Sequence, residues 1–260
     1  MINSLWISKT GMEAQQMQLD VISNNLANVS TNGFKRGNAV FEDLMYQNLR
    51  QVGSNTAEQS TLPTGLQVGL GVRTVATSRN FSQGSMQQTN NNLDTAIQGN
   101  GFFQITMPDG STGYTRDGSF QLDSQGRMVT ANGLLVQGGI TVPSNATTVS
   151  VASNGTVTAA IPGTTAPQNI GTITLANFVN PAGLQPNGQN TYQESAASGQ
   201  PVVGTAGANG LGTVMQGFVE TSNVNVVQEL VGMIQTQRAY EMNSKAISTS
   251  DQMPQKLAQL

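Results

Sequence analysis

Few residues in this 260-residue chain are equipped for covalent or metal chemistry, because histidine and cysteine are both absent. Without imidazole or thiolate there is no Ser–His or Cys–His nucleophile, and zinc and iron–sulfur centres lose their commonest ligands. What remains is carboxylate chemistry. Two carboxylates flanking a glycosidic bond can hydrolyse it, and Asp94 and Glu194 are residues of the required type. No spacing selects them from the 14 acidic residues, so no catalytic pair is assigned. Asp109, Asp117 and Asp123 lie beside turn glycines. A calcium loop needs acids at alternate positions and a Glu at the twelfth, and that pattern is absent. Aspartates that accept hydrogen bonds from their own turns account for all three. Gly69-Leu70-Gly71 and Gly99-Asn100-Gly101 superficially resemble phosphate loops, but neither opens a helix, and close backbone approach is the better account. Lys35-Arg36 is the only adjacent basic pair. It reads as a solvated pair after a turn, or as a partner for a carboxylate on a neighbouring subunit. No enzyme activity, cofactor or metal follows from these residues.

Composition narrows the classes further. Charged residues make up 10% of the chain and the net charge is -3, against about 25% charged in ordinary soluble domains. Specific nucleic-acid binding needs clustered Lys and Arg, which are missing. No run reaches the roughly 18 apolar residues of a membrane span. The start of the sequence lacks a basic segment followed by an apolar one, so no secretory signal is expected there. A weakly charged surface rich in Gln, Asn, Ser and Thr suits a protein whose exterior meets other protein, and equally an extracellular β-rich module.

The elements that must position these residues differ between the ends and the middle. Residues 1–30 have helical spacing, with Leu5, Met12, Leu19 and Leu26 every seven residues and Ile22 and Val29 three positions after the last two. That is the a/d seam of a helix that packs along another helix. The run stops at Asn28-Val29-Ser30-Thr31-Asn32-Gly33, a helix end and turn, and Phe34, Lys35 and Arg36 follow. A second seam runs through 223–260, with Val226, Val227, Leu230, Met233, Ile234, Tyr240, Ile247 and Leu257, and Ser222, Asn223 or Asn225 as its cap. At about 1.5 Å per residue each helix would span roughly 40–50 Å. Trp6, the only tryptophan, reads as a seam aromatic or as an anchor between subunits.

Between the helices, residues 31–87 form a connector. Its stretch 39–46 has mixed spacing compatible with strand or short helix, 48–64 reads as a long loop or extended arm ending near Pro63, and 66–75 alternates as a strand does. Residues 88–222 are β, with short apolar runs separated by turn chemistry at Pro108-Asp109-Gly110, Arg116-Asp117-Gly118 and Asp123-Ser124-Gln125-Gly126. The expected fold class is α+β, with long terminal helices paired as a coiled coil and bracketing an all-β middle.

Several stretches resemble the bacterial flagellar rod and hook family. Asn24-Asn25-Leu26-Ala27-Asn28-Val29-Ser30-Thr31-Asn32-Gly33-Phe34-Lys35 looks like its signature. Leu5-Trp6-Ile7-Ser8-Lys9-Thr10-Gly11-Met12 and Phe41-Glu42-Asp43-Leu44-Met45-Tyr46-Gln47 are similar to the distal rod members in particular. Leu93-Asp94-Thr95-Ala96-Ile97-Gln98-Gly99-Asn100-Gly101-Phe102-Phe103, Tyr114-Thr115-Arg116-Asp117-Gly118 and Gly217-Phe218-Val219-Glu220-Thr221-Ser222-Asn223 match the core and C-terminal patterns. The likeness is weakest over 142–212. The resemblance implies a structural subunit that polymerises helically into the distal rod, the drive shaft from rotor to hook. The partners it implies are copies of the chain, neighbouring rod and hook proteins, the surrounding ring proteins and the flagellar export apparatus, with no membrane insertion. It implies a location in the basal body across the periplasm, reached without a cleaved classical signal. Leu5, Trp6, Met12, Leu19, Ile22, Leu26, Asn28, Phe34, Lys35, Arg36, Val226, Leu230, Met233, Tyr240 and Ile247 are the expected subunit-interface residues. The alternatives are a medium-length proximal rod or hook-type subunit and, from another class, a secreted β-rich adhesin.

Overall fold

A computed structural model describes residues 2–50, 55–57, 60–61, 64–164 and 166–257. Helices at both ends enclose a β-rich middle, so the class is α+β. The chain divides into two compact units: Met1–Leu26, Gly37–Ser78 and Asn225–Leu260 form one, and Ala27–Arg36 with Arg79–Val224 form the other.

In the first unit, helix α1 spans Ile2–Ala27 and helix α2 spans Val226–Leu257. The α2 start is fixed by Asn225, whose Oδ1 accepts from the amides of Val227 (3.0 Å) and Gln228 (3.3 Å). These are two of the amides that a helix N-terminus leaves without partners. Glu229 adds negative charge in the first turn, where the helix dipole favours it. Pro254 does not end α2, which continues to Leu257.

Six short strands complete this unit: β1 (Gly37–Asp43), β2 (Tyr46–Arg50), β3 (Asn55–Ala57), β4 (Ser60–Thr61), β5 (Leu66–Gly69) and β6 (Val72–Arg79). β1 pairs with β6, β2 with β5, and β3 with β4. The segment expected to be an arm is therefore a folded-back ribbon, with Tyr46 opposite Gly69 and Gln47 opposite Val68. Parts of that segment, 51–54, 58–59 and 62–63, lie outside the described residues. Every residue of β2 is exposed. Strand β2 buries neither face, so it writes no period-2 pattern into 46–50, whereas the alternation over 66–75 corresponds to β5 and the start of β6. Stretch 39–46 resolves as the end of β1 and the start of β2. The turn before β6 lies against α1: a Cβ on Gly71, where φ is +116°, would come within 2.2 Å of Thr10 Oγ1. Thr10 Oγ1 also accepts from the Val72 amide at 3.4 Å.

The second unit holds β7 (Met86–Gln88), β8 (Thr95–Gln98), β9 (Phe102–Thr106), β10 (Thr112–Thr115), β11 (Phe120–Leu122), β12 (Met128–Thr130), β13 (Leu135–Val136), β14 (Thr148–Val151), β15 (Thr156–Ala160), β16 (Gln168–Thr172), β17 (Thr174–Asn177), β18 (Gln185–Gly188), β19 (Thr191–Gln193), β20 (Val202–Thr205), β21 (Thr213–Gln216) and β22 (Phe218–Glu220). β9 is the hub of a nine-stranded antiparallel sheet. One of its edges takes β10, and the other is shared by β13 and β17. Side chains alternate across a strand, so Phe103 enters a core with Phe120, Met128, Val157, Ile173 and Leu175. Phe102 enters another with Tyr114, Phe178, Leu184 and Tyr192. Both faces of β9 are covered, which explains why it reads as a continuous apolar run. β14, β15 and β16 form a separate three-stranded sheet, and β8 pairs with β21 and β7 with β22.

Candidate functional site

The sequence of the terminal helices predicts an apolar seam between them, and the contacts within the first unit combine Ile22 of that seam with small and polar residues. A Cβ on Gly11 would touch Asn243 Nδ2 at 3.0 Å, a Cβ on Gly232 would touch Ile22 Cδ1 at 3.5 Å, and Asn25 Nδ2 donates to Glu229 Oε2 at 3.4 Å. The contacts advance along α1 as they retreat along α2, so the helices meet in antiparallel order. On α2, Glu229 and Thr236 are buried, and Gly232 and Asn243 are half-buried. On α1, Thr10, Ala14, Ile22 and Asn25 are buried. Apart from Ile22 this inner face is small or polar. Small residues let helix backbones approach closely, while a buried Asn–carboxylate contact fixes alignment at a cost in stability. Asn25 also grips β1, donating to the Gly37 carbonyl and accepting from its amide, both at 2.9 Å.

The large apolar side chains of α2 point the other way. Val227, Leu230, Val231 and Ile234 are exposed by 69%, 43%, 48% and 51%. At spacings of three and four they lie on one face. Together they make a stripe that nothing within the described residues of the unit covers. On α1, Trp6 is 53% exposed.

The second unit contains a buried ionic cluster. Lys35 Nζ donates to Glu220 Oε1 at 2.5 Å and to the Ser82 carbonyl at 2.8 Å. Arg116 Nη1 donates to Glu220 Oε2 at 3.1 Å, and its Nη2 to the Gly99 carbonyl at 2.8 Å. The Gly84 amide gives Glu220 Oε1 a further donor at 2.8 Å. Lys35 and Glu220 are sealed from solvent and Arg116 nearly so. The Arg116 guanidinium lies 5.4 Å from the centroid of Phe102, a cation–π distance. Burial pushes the Lys35 ammonium below its ordinary value, the Glu220 carboxylate pulls it back up, and the Arg116 charge adds to the depression. Arg116 is lowered by burial and raised again by Glu220. Such a cluster persists only when each charge has partners, because burying an isolated ion costs several kcal/mol.

Four stretches singled out in the sequence meet here: Lys35 from 24–35, Gly99 from 93–103, Arg116 from 114–118 and Glu220 from 217–223. The Gly33 amide donates to the Glu220 carbonyl at 2.8 Å, and Gly33 takes φ of +69° with its Cα against the Arg116–Asp117 backbone, where a Cβ would sit 2.6 Å from the Asp117 amide nitrogen. Asn223 does not cap α2. Its Oδ1 accepts from the Arg36 amide at 2.8 Å, and its Nδ2 donates to the carbonyls of Asn80 (2.9 Å) and Ser82 (3.0 Å).

Among the expected interface residues, Trp6, Val226, Leu230 and Tyr240 are exposed. Leu5, Met12, Leu19, Leu26, Asn28, Arg36, Met233 and Ile247 are half-buried, and Ile22, Phe34 and Lys35 are buried. The carboxylate that meets Lys35 is supplied by its own chain. Glu220, Arg116, Asn25 and Glu229 are the residues that sequence reasoning missed as participants. Glu220 and Arg116 stand inside the quoted stretches, but nothing local to a lone Glu or Arg announces burial. Asp109, Asp117 and Asp123 close Asx turns: Asp109 onto Ser111, Asp117 onto Ser119, and Asp123 onto Gln125 and Arg127. Asp94 is held by Thr89 and Asn91.

Known proteins give the same picture from three directions. Residues 6–35 match a family model described as flagella basal body rod protein, 96–159 match the flagellar hook protein FlgE/F/G D1 domain, and 215–260 match the flagellar basal body rod FlgEFG protein C-terminal model. The flagellar basal-body rod protein FlgG of Buchnera aphidicola (subsp. Acyrthosiphon pisum) is 58% identical over 260 residues, covering all of both chains. That of Caulobacter vibrioides is 46% identical, covering all of this chain and 99% of its own. The Helicobacter pylori hook protein FlgE is 46% identical over 140 residues, which are 53% of this chain and 19% of that protein. Aligned end to end with such relatives, the chain belongs to the family of flagellar basal-body rod proteins.

Proposed function

We propose that copies of this chain polymerise helically into the distal rod of the flagellar basal body and transmit torque from rotor to hook. The family is structural rather than enzymatic, and the chain is a distal rod subunit. The observation that carries the polymer reading is the inversion of the terminal helices. Their close face is small and polar, whereas Val227, Leu230, Val231 and Ile234 are left outside. An apolar stripe that the subunit does not cover is a surface for other copies.

In the polymer, 1–30 and 223–260 pair as coiled coils and form an inner tube, 31–87 bridge between subunits, and 88–222 form the outer layer. Trp6, Val226, Leu230 and Tyr240 supply interface area from exposed positions. The half-buried Leu5, Met12, Leu19, Leu26, Asn28, Arg36, Met233 and Ile247 join once neighbours arrive, while Ile22, Phe34 and Lys35 hold the subunit that presents them. Neighbouring rod and hook proteins continue the axis, ring proteins surround it, and the export apparatus delivers the chain unfolded. Helices that gain most of their stability from tertiary packing are weakly ordered alone, and ordering them only on assembly restrains premature polymerisation.

The test is circular dichroism and limited proteolysis on the dilute chain, then on sedimented polymer. Helix content and protection of both ends should rise together on assembly. Oxidising the Gly11→Cys/Asn243→Cys variant, in a chain with no cysteine of its own, reports whether the helices pair within a chain or between chains. A chain that stays monomeric at high concentration with both ends already protected sinks the reading.

A further inference from the structure

The first unit carries a second uncovered apolar region. Met45, Tyr46, Leu49 and Leu66 are exposed on the β2–β5 ribbon, Met45 by 81%. Beside them, Trp6, Leu44, Met45 and Leu70 line a cleft of about 490 Å³, with Asp43 and Arg73 at its rim. Arg73 is committed to Glu42, at 3.1 Å. Asp43, by contrast, accepts from the Tyr46 hydroxyl, whose ionisation it opposes, and makes no ion pair among the described residues. The cleft is thus apolar inside and offers one carboxylate, that of Asp43, at its edge.

We propose that this cleft receives the outer stripe of α2 from a second copy of the chain; the proposal rests on the polymer reading and names its contact. Shape and charge both favour that occupant. The stripe of Val227, Leu230, Val231 and Ile234 continues at Arg238, eleven residues after Val227 and on the same face. Arg238 is exposed and makes no ion pair among the described residues. A helix laid across the cleft with two or three of its apolar side chains inside places Arg238 at the acidic rim, opposite Asp43. Helix-in-groove docking is read by anchors at i, i+3, i+4 and i+7, the spacing of these four residues. The two surfaces differ from each other, so the contact is heterologous. A heterologous contact that does not close a ring generates an open helical filament. If each copy instead paired like face with like face, growth would stop at a dimer.

Two arms test this with the full-length chain. In the first, a Met45→Cys chain is mixed with a Val231→Cys chain under polymerising conditions and oxidised. Each variant has a single thiol, because the parent has none. The expected product is a disulfide between the two variants, absent from either variant alone. Polymer that forms without this product, or oxidises only as Met45→Cys or Val231→Cys homodimers, overturns the proposal and leaves the polymer reading intact. Failure of the parent chain to polymerise overturns both. In the second arm, Arg238→Glu should raise the concentration needed for polymerisation about tenfold or more, since like charges juxtaposed in an interface cost several kcal/mol. Adding Asp43→Lys to Arg238→Glu should restore assembly. Equal assembly by all three chains overturns the proposal.

Discussion

The two units of this molecule handle their chemistry in opposite ways. In the second unit the largest side chains are inside, Phe102, Phe103, Phe120 and Leu175 among them, and even a lysine, an arginine and a glutamate are buried with partners. In the first unit the helices touch through Gly11 and Asn243, Ile22 and Gly232, and Asn25 and Glu229, while Val227, Leu230, Val231 and Ile234 stay outside. The difference separates a part that buries its large side chains within itself from a part that leaves several of them exposed. Hydrophobic burial scales with area removed from water, so in the proposed polymer the first unit would gain area that the lone subunit leaves uncovered.

The sharpest way to break this contrast is Glu220→Ala. It strands Lys35 and Arg116 as buried cations, and removing one partner of a buried ion pair typically costs about 3–5 kcal/mol. Urea unfolding followed by tryptophan-independent probes of the second unit should register that loss. An unchanged midpoint would mean that water reaches the cluster. Phe103→Ala should cost a similar 3–5 kcal/mol or so, from lost transfer energy and the cavity left in the β core. Together the two variants show that this unit stands on interior contacts.

Val227→Ser with Ile234→Ser should do the reverse. Both side chains are exposed in the subunit, so the folding midpoint should move by no more than about 0.5 kcal/mol per site, whereas sedimentable polymer should disappear. A large drop in subunit stability would show that the stripe is already covered. Asn225→Ala removes the cap of α2 and should cost roughly 1 kcal/mol, read as lost helicity in the C-terminal segment with the second unit untouched. The smallest effect is at Asp123, whose carboxyl is held below its ordinary value by the amide and guanidinium of Arg127. A lowered folded value means that its contribution is present above the usual carboxylate range and is lost as pH falls through the folded value. The protection of the Gln125 and Arg127 amides, exchange measured against the intrinsic rate at each pH, should fall on acidification in the parent. In Asp123→Asn it should already be lower at neutral pH and change little.

Much of the architecture could be read before any coordinates. Heptad spacing in 1–30 and apolar spacing in 223–260 predict helices, and the residues at Asp109, Asp117 and Asp123 predict turns between strands, because both signals are local. Strand β2 over Tyr46–Arg50 escaped notice because its exposed faces impose no alternation, whereas its partner β5 lies in the stretch 66–75 that does alternate. What the seam meets was not legible for a related reason. Spacing shows which residues share a face, but not whether that face meets the helix's own partner or another molecule.

The sequence by itself determined the helix–β–helix order, the absence of thiol and imidazole chemistry, and the membership carried by its quoted stretches. Only the tertiary structure decided that Lys35, Gly99, Arg116 and Glu220 converge on one sealed cluster, since they lie as much as 185 residues apart along the chain. It also decided that α1 and α2 approach through small and polar residues. Long-range pairing depends on the whole set of competing burials, and no window of neighbouring residues contains that sum.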